Sequence, residues 1–480
     1  MLSTFVTVRK FKQKPILEKV LIEDYAAEGK SLARVDGKVV FVEGAVPGDV
    51  VDVQLQKNKT DWAEGFVKQF HSYSEIRVKP FCSHFGVCGG CQWQMLPYDQ
   101  QLKYKHKQVV DNLTRIAKVV LPEIPAILGA EATEGYRNKV EYTFATEKFI
   151  PFDEFKAMKA SGEELVKSPG AGGFHARGFF EKVVEIDTCY LQIEPTNLMR
   201  KAVAQFAIDN NMPFYNIKQH QGWVRNMFVR NTTNGQWMVN LILGYEDKEK
   251  REALLNLLLK QFPQITTLLY TINTKRNDSM QDLVPQVFSG NGYITEMLED
   301  FAFKISPKSF FQTNSKQAER LYQVTRDFAE LTGKEVVYDL YCGTGSIGIF
   351  CSKQAKKIVG VEFVADAIED AKENASMNNL TETAFFAGDV IDICDDAFFE
   401  THGKPDVIIT DPPRAGMHEK LVRKLLEMEA PTIVYVSCNP ATQARDLALL
   451  DEKYKVTKIQ PVDMFPHTLH IENVVQLKRK

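Results

Sequence analysis

The sequence predicts an α/β chain of three parts: a small N-terminal β-barrel, an α+β central domain and a C-terminal doubly wound sheet. Three observations carry this. Short β-branched runs broken by Glu28-Gly-Lys, Asp36-Gly-Lys and Pro47-Gly-Asp fill residues 15–72, the pattern of a small barrel. From Tyr136 to Gln261, alternating runs such as Tyr136 to Phe144, Val183 to Ile186, Asn226 to Arg230 and Trp237 to Leu243 mix with helical periodicity over Thr196 to Asn210 and Lys248 to Gln261. From Val336 onward, strands and helices alternate, as a parallel sheet covered on both faces requires. The expected boundaries are 1–74, 75–305 and 306–480, with residues 98–125 packing on the last part; Gly162 to Gly173 is expected to be a mobile loop.

Each C-terminal element follows from local pattern. Val336 to Tyr341 predicts a strand, Cys342-Gly343-Thr-Gly345-Ser346-Ile-Gly348 a tight glycine turn, and Ile347 to Ala355 a helix. Glycines there let the backbone approach a ligand closely. The strand Lys357 to Glu362 ends in a carboxylate where such folds hydrogen-bond a ribose. The glycine spacing alone suits NAD and S-adenosylmethionine (SAM) equally. Asp339, ahead of the glycines, suits the ammonium of SAM and would repel a pyrophosphate. A helix over Ala365 to Asn378 and strands over Thr383 to Asp389, Pro405 to Asp411 and Thr432 to Ser437 continue the alternation. Ligands bind beyond the carboxyl ends of such strands, so Glu362, Asp389, Asp411 and Cys438 are expected on one rim.

Cys438 stands between the last of these strands and a helix over Ala441 to Leu450, with Asn439 as N-cap and Pro440 as first helical residue. Unpaired N–H groups and the positive end of the helix dipole would favour its thiolate. A buried structural cysteine is the competing interpretation. The residue types suggest a chemistry. Carbon 5 of uracil is a poor nucleophile until a thiolate adds to carbon 6, and the adduct then needs a base to remove the proton at carbon 5. Glu472, expected just before a final strand over Val474 to Leu477, is placed to be that base, with His470 as its competitor.

Asp339-Leu-Tyr-Cys-Gly-Thr-Gly, Asp411-Pro-Pro-Arg-Ala-Gly, Tyr435-Val-Ser-Cys-Asn-Pro and His470-Ile-Glu, in that order, resemble the SAM-dependent RNA uracil-C5 methyltransferases. Ser306-Pro-Lys-Ser-Phe-Phe-Gln312-Thr-Asn314 is similar to the segment by which that family enters its catalytic domain. The resemblance implies a Rossmann-like domain, SAM contacts from Gln312, Tyr341, Glu362 and Asp411, the nucleophile at Cys438 and the base at Glu472. Asp339 and Asp389 join the cofactor set from their places on the rim. The family commonly has asparagine where this chain has Ser346. Ala27 to Arg34 and Val42 to Asp49 resemble a TRAM domain, an OB-like RNA-binding module.

Eight cysteines, no signal-peptide pattern and no apolar run of membrane-spanning length suggest a reducing cytoplasm. Three cluster as Cys82-x5-Cys88-Gly-Gly-Cys91, which argues for metal, and Cys189 is the best fourth ligand. Spacing alone does not choose between zinc and a [4Fe–4S] cluster. The resemblance implies iron and sulfur, as in family members that methylate large-subunit ribosomal RNA, and hence 23S rRNA as substrate and partner. A net charge of −3 excludes a bulk polycation, so RNA affinity must come from local patches. Lys10 to Lys14, Lys103-Tyr-Lys-His-Lys107 and Arg137-Asn-Lys139 are the candidates. A tRNA uracil-C5 methyltransferase is the main alternative. An RNA cytosine-C5 enzyme would have a second cysteine where Arg414 stands; a dehydrogenase leaves Cys438 unexplained, and a non-catalytic RNA-binding protein has no use for the rim.

Overall fold

The computed structural model describes residues 14–26, 29–161 and 170–480. Residues 10–13 of the candidate patch Lys10 to Lys14, Ala27, Glu28 and most of the expected mobile loop lie outside them; the end of that loop, from Ala171, is a strand, Ala171–Ala176. Two compact units are present, one within residues 1–81 and 92–104 and the other comprising 82–91 and 105–480. No described helix is long and apolar enough to cross a membrane.

The first unit is a six-stranded sheet in the order Ile16–Leu21, Val50–Asn58, Trp62–Ser72, Lys38–Glu43, Ser31–Val35, Asp24–Tyr25. Alternate side chains, among them Val20, Val40, Val42, Val51, Val53 and Leu55, close its core. The carboxylate of Asp49 is fully buried there and is satisfied by the amides of Val46 and Ser74 and by the guanidinium of Arg77.

The second unit holds two seven-stranded sheets. In the central sheet the order is Gln286–Ser289, Thr267–Ile272, Trp237–Leu243, Val224–Asn231, Lys139–Ala145, Ala171–Ala176, Phe179–Glu185. Apolar residues of the helices Thr196–Asp209 and Lys248–Gln261 share its core. A hairpin, Ile294–Leu298 with Phe301–Ile305, leads to the helix Ser315–Ala329.

In the C-terminal sheet the order is Thr383–Ala387, Lys357–Glu362, Val336–Leu340, Val407–Thr410, Thr432–Ser437, Glu472–Arg479, Tyr454–Val462. The first five are parallel. Strand Glu472–Arg479 is antiparallel to both its neighbours, so it begins at the rim where the parallel strands end. Each face of the sheet is covered: Val337, Ile358, Ile409 and Val434 pack with residues of helix Ser315–Ala329, and Tyr338, Val359, Ile408 and Ile433 pack with Val109, Leu113 and Ala117. The latter three lie on the helix Tyr98–Asn112 and the wider turn Leu113–Ala117 that continues it.

Lys105 on that helix forms a fully buried ion pair with Asp463, 2.6 Å apart, and also donates to the carbonyl of Phe465. This corrects the expectation that Lys105 belongs to an RNA-binding patch. Burial pulls its ammonium below the usual lysine range even with Asp463 beside it.

Candidate active site

Five strand ends converge on one rim. Asp339 lies within strand Val336–Leu340 and is 1% exposed; its Oδ2 accepts from the amide of Gly348, 2.8 Å away, and its Oδ1 has no partner among the described residues. A side chain at position 348 would place Cβ 2.9 Å from that Oδ2, so glycine is what lets the helix Ser346–Cys351 start against the carboxylate. Burial, with the charges of Asp411 and Glu362 nearby, pushes Asp339 up to about 7. A buried carboxylate oxygen with no partner is the acceptor that an ammonium would fill.

Tyr341 follows in the left-handed region at φ 59°, which is costly for an aromatic residue and turns the chain out of the strand. Glu362 closes its own strand and is held by two backbone amides, Gly343 at 3.2 Å and Val364 at 2.9 Å. Exposed Phe363 and Val364 place apolar surface beside it. Asp389 caps the short helix Val390–Ile393 through the amide of Ile391. Gln312 is buried at 9% exposure. Ser346 shares a 3.0 Å hydrogen bond with the Tyr322 hydroxyl.

Cys438 follows strand Thr432–Ser437 and precedes helix Pro440–Leu450, with Asn439 as N-cap accepting from Ala441 and Pro440 at the first helical position. Ser437 pairs with Asn473 across the sheet, so Cys438 and Glu472 are successive neighbours of one register pair. Glu472 is the first residue of the final strand rather than a residue before it. The helix N-terminus is not the strongest influence on this thiol. Burial, then the charges of Glu472 and Asp411, push the Cys438 thiol up to about 11, while Arg414 pulls it down. Tertiary neighbours thus outweigh the helix N-terminus. Burial and Asp411 hold the carboxyl of Glu472 well above its usual range, and Asp411 is raised by burial in the same way. His470 is lowered, by burial first and then by Arg414.

Arg414, which stands where a cytosine-C5 enzyme would have its second cysteine, is a cation facing this acidic group. Its carbonyl accepts from Asn439 Nδ2 at 3.1 Å and from Thr442 Oγ1 at 3.3 Å. The loop is gripped further on: Met417 N donates to buried Asp446, and Arg445 donates to the carbonyls of Ala415 and Met417. Gln443, also on this helix and fully buried, donates to the carbonyls of Tyr435 and Asn473 and accepts from Asn473 Nδ2 at 2.7 Å. One helix therefore fixes the nucleophile's turn, the arginine loop and the strand bearing Glu472.

The four clustered cysteines all fall in the second unit. Cys88 and Cys189 are both raised by burial first; Cys189 and Cys82 act on Cys88, Cys82 acts on Cys189, and Tyr136 feels both Cys91 and Cys189. They are neighbours. Among the described residues, however, no three His, Cys, Asp or Glu side chains are grouped so as to hold a metal ion. Cys342, Cys351 and Cys394 are buried in the C-terminal part. In the Arg137-Asn-Lys139 patch, Asn138 is buried, and Lys139 is pulled down to about 8 by burial and by Arg230.

A family description of tRNA (uracil-5-)-methyltransferase matches residues 396–480, TRAM domain matches 18–68 and methyltransferase small domain matches 322–432. An uncharacterized RNA methyltransferase of Bacteroides thetaiotaomicron is 50% identical over 456 residues, covering 94% of this chain and 99% of its own. Another, of Chlorobaculum tepidum, is 39% identical over 477 residues and 98% of each chain. The structure of Pyrococcus abyssi tRNA (uracil-54, C5)-methyltransferase in complex with S-adenosyl-L-homocysteine is similar with a TM-score of 0.73 and 27% identity, over 96% of this chain and 100% of that one.

The electrostatics of the rim predict how Cys438 reacts with a neutral alkylating agent. Its rate should keep rising with pH toward about 11; Arg414→Gln should move that midpoint up, and Glu472→Gln should move it down. A midpoint near the ordinary cysteine value of about 8.5, insensitive to both substitutions, would contradict the placement of these charges.

Proposed function

The chain belongs to the RNA uracil-C5 methyltransferase family, and on that premise we propose that it moves a methyl group from SAM to carbon 5 of a uridine in 23S rRNA through a covalent bond to Cys438. The single observation that carries the covalent mechanism is the meeting of Cys438, Glu472, Asp411 and Arg414 at one end of one sheet; the choice of 23S rRNA rests on the resemblance of the cysteine set to that of the ribosomal RNA enzymes.

Cys438 is the nucleophile. Once its thiol has given up its proton to solvent, the Cys438 sulfur bonds to carbon 6 of the uracil, and the electron pair of the 5,6 double bond moves onto carbon 5 and oxygen 4. Carbon 5 would then take the methyl group from the sulfonium of bound SAM, the S–CH3 bond breaking with its electron pair left on sulfur as a neutral thioether. The Glu472 carboxylate removes the proton from carbon 5, the double bond re-forms and the Cys438 sulfur leaves as thiolate. Because Glu472 sits above the usual carboxylate range, this last step slows as pH falls, and does so earlier than it would for an ordinary glutamate. Arg414 offsets the negative charge that appears on sulfur and on the ring.

The methyl donor supplies an electrophilic methyl and positive charge. Asp339, with one oxygen lacking a partner among the described residues, fits its ammonium; Glu362 fits its ribose, beside Phe363 and Val364; Gln312, Tyr341, Asp389 and Asp411 would complete the contacts. Positive charge on the rim favours the thiolate of Cys438.

Cys82, Cys88, Cys91 and Cys189 would hold a [4Fe–4S] cluster. The support is a donor set of four thiols that lie in one neighbourhood and the chemistry of thiolate ligation. Their role is structural, since methyl transfer moves no net electrons. Eight cysteines suit the reducing cytoplasm. The six-stranded N-terminal sheet is the RNA-binding part, residues 75–305 the central part and 306–480 the catalytic part. A second substrate class, tRNA, is favoured by the Pyrococcus abyssi structure, which is of a tRNA enzyme.

One experiment tests substrate and mechanism together. With SAM, a 23S rRNA fragment containing 5-fluorouracil should form a denaturation-resistant adduct, because fluorine cannot leave as a cation, and Cys438→Ala should abolish it. An adduct with tRNA alone would reassign the substrate; no adduct, or one that persists in Cys438→Ala, would overturn the mechanism. For the cluster, protein purified without oxygen should carry about four iron and four sulfide per chain and lose them in Cys88→Ser/Cys189→Ser, whereas stoichiometric zinc would replace the assignment.

A further inference from the structure

We infer that Asn138 is a positioning residue for the cofactor segment, fixing the backbone of Gln312 and the first turn of the helix Ser315–Ala329 from the central sheet. The inference rests on the assignment of Gln312 as a contact to SAM.

Asn138 immediately precedes strand Lys139–Ala145 and is 9% exposed. Its amide N donates to the carbonyl of Thr313 at 2.8 Å, and its own carbonyl accepts from Asn231 at 2.9 Å. Its Nδ2 donates to the carbonyl of Gln312 at 3.1 Å and to Ser315 Oγ at 2.8 Å. One residue thus joins strand Val224–Asn231 to three residues of the segment. Ser315 in turn donates to the fully buried carboxylate of Glu296, which also accepts from the amides of Thr233 and Met297. Earlier in the segment, the carbonyl of Ser309 accepts from Arg230 and its hydroxyl donates to Asp370. Of these anchors, Asn138 is the one bonded to Gln312 itself.

The chemistry demands an amide. Its two N–H donors form a fixed fork that can serve a carbonyl and a hydroxyl together. Aspartate has the same shape but would turn a carboxylate oxygen toward the carbonyl of Gln312. Alanine would leave that carbonyl without its donor in a buried place, where the loss is felt in full.

Binding of SAM by calorimetry is measured for Asn138→Ala, Asn138→Asp, Gln312→Ala and the double variant Asn138→Ala/Gln312→Ala, together with RNA affinity, kcat at saturating SAM and the thermal midpoint. Asn138→Ala should weaken SAM about tenfold, the worth of one buried hydrogen bond, and Asn138→Asp at least as much. RNA affinity and kcat at saturating SAM should stay within about twofold, and the double variant should bind SAM no more weakly than Gln312→Ala. Wild-type SAM affinity in both Asn138 variants would overturn the inference. So would an additive loss in the double variant, or parallel losses of SAM affinity, RNA affinity and thermal midpoint, which mark a merely structural role. Unchanged SAM affinity in Gln312→Ala would instead overturn the cofactor assignment of Gln312, independently of what Asn138→Ala does.

Discussion

The rest of the site depends on one topological fact: the final strand, Glu472–Arg479, enters the sheet antiparallel beside Thr432–Ser437. A parallel strand in that slot would bring its carboxyl end to the rim. Antiparallel entry brings Glu472, its first residue, to the place where Cys438 emerges. Two carboxyls and a thiol then share a buried volume, and each resists ionising first because burial strips water from its charged form; Asp411 adds to this at Glu472, and both carboxyls add to it at the thiol. A site built this way holds its protons until positive charge arrives. Arg414 supplies part of that charge, and in the proposed mechanism a cationic methyl donor would add to it.

Crowding of this kind persists only if the surrounding framework cannot relax. Helix Pro440–Leu450 prevents it, reaching the arginine loop through Asn439, Thr442, Arg445 and Asp446 and the Glu472 strand through Gln443 and Asn473. The loop between Val462 and Glu472 is held from elsewhere: Lys105 pairs with Asp463, Asn314 and Gln317 donate to the carbonyls of Met464 and Asp463, and Tyr136 donates to the carbonyl of Pro466. Tyr136 also lies within the field of Cys91 and Cys189. The segment 136–138 therefore lies within the field of the cysteines and bonds both to the loop leading to Glu472 and to the Gln312 segment.

Much of the rim could be read from sequence because strand ends are local features. Alternating strands and helices, with a carboxylate or cysteine closing each strand, place Glu362, Asp411 and Cys438 together without any tertiary information. Ionisation could not be read in this way. The helix N-terminus after Cys438 is visible in Asn439 and Pro440, but Glu472 and Asp411, which decide the thiol's state, are adjacent only in space. Lys105 and Asn138 misled for the same reason. Each stands in a polar run that resembles a solvated face, and the partner that buries it is Asp463 in one case and the Gln312 segment in the other. The cap role of Asp389 was likewise hidden, since the short helix it starts has too few residues to show a period.

Release of tritium from RNA labelled at carbon 5 of uridine follows the proton that Glu472 would remove in the proposed mechanism. One tritium should appear in water for each methyl group transferred, and Glu472→Gln should transfer the methyl group while releasing tritium far more slowly. Methyl transfer without tritium release in the wild-type enzyme, or unchanged release in Glu472→Gln, would contradict the account.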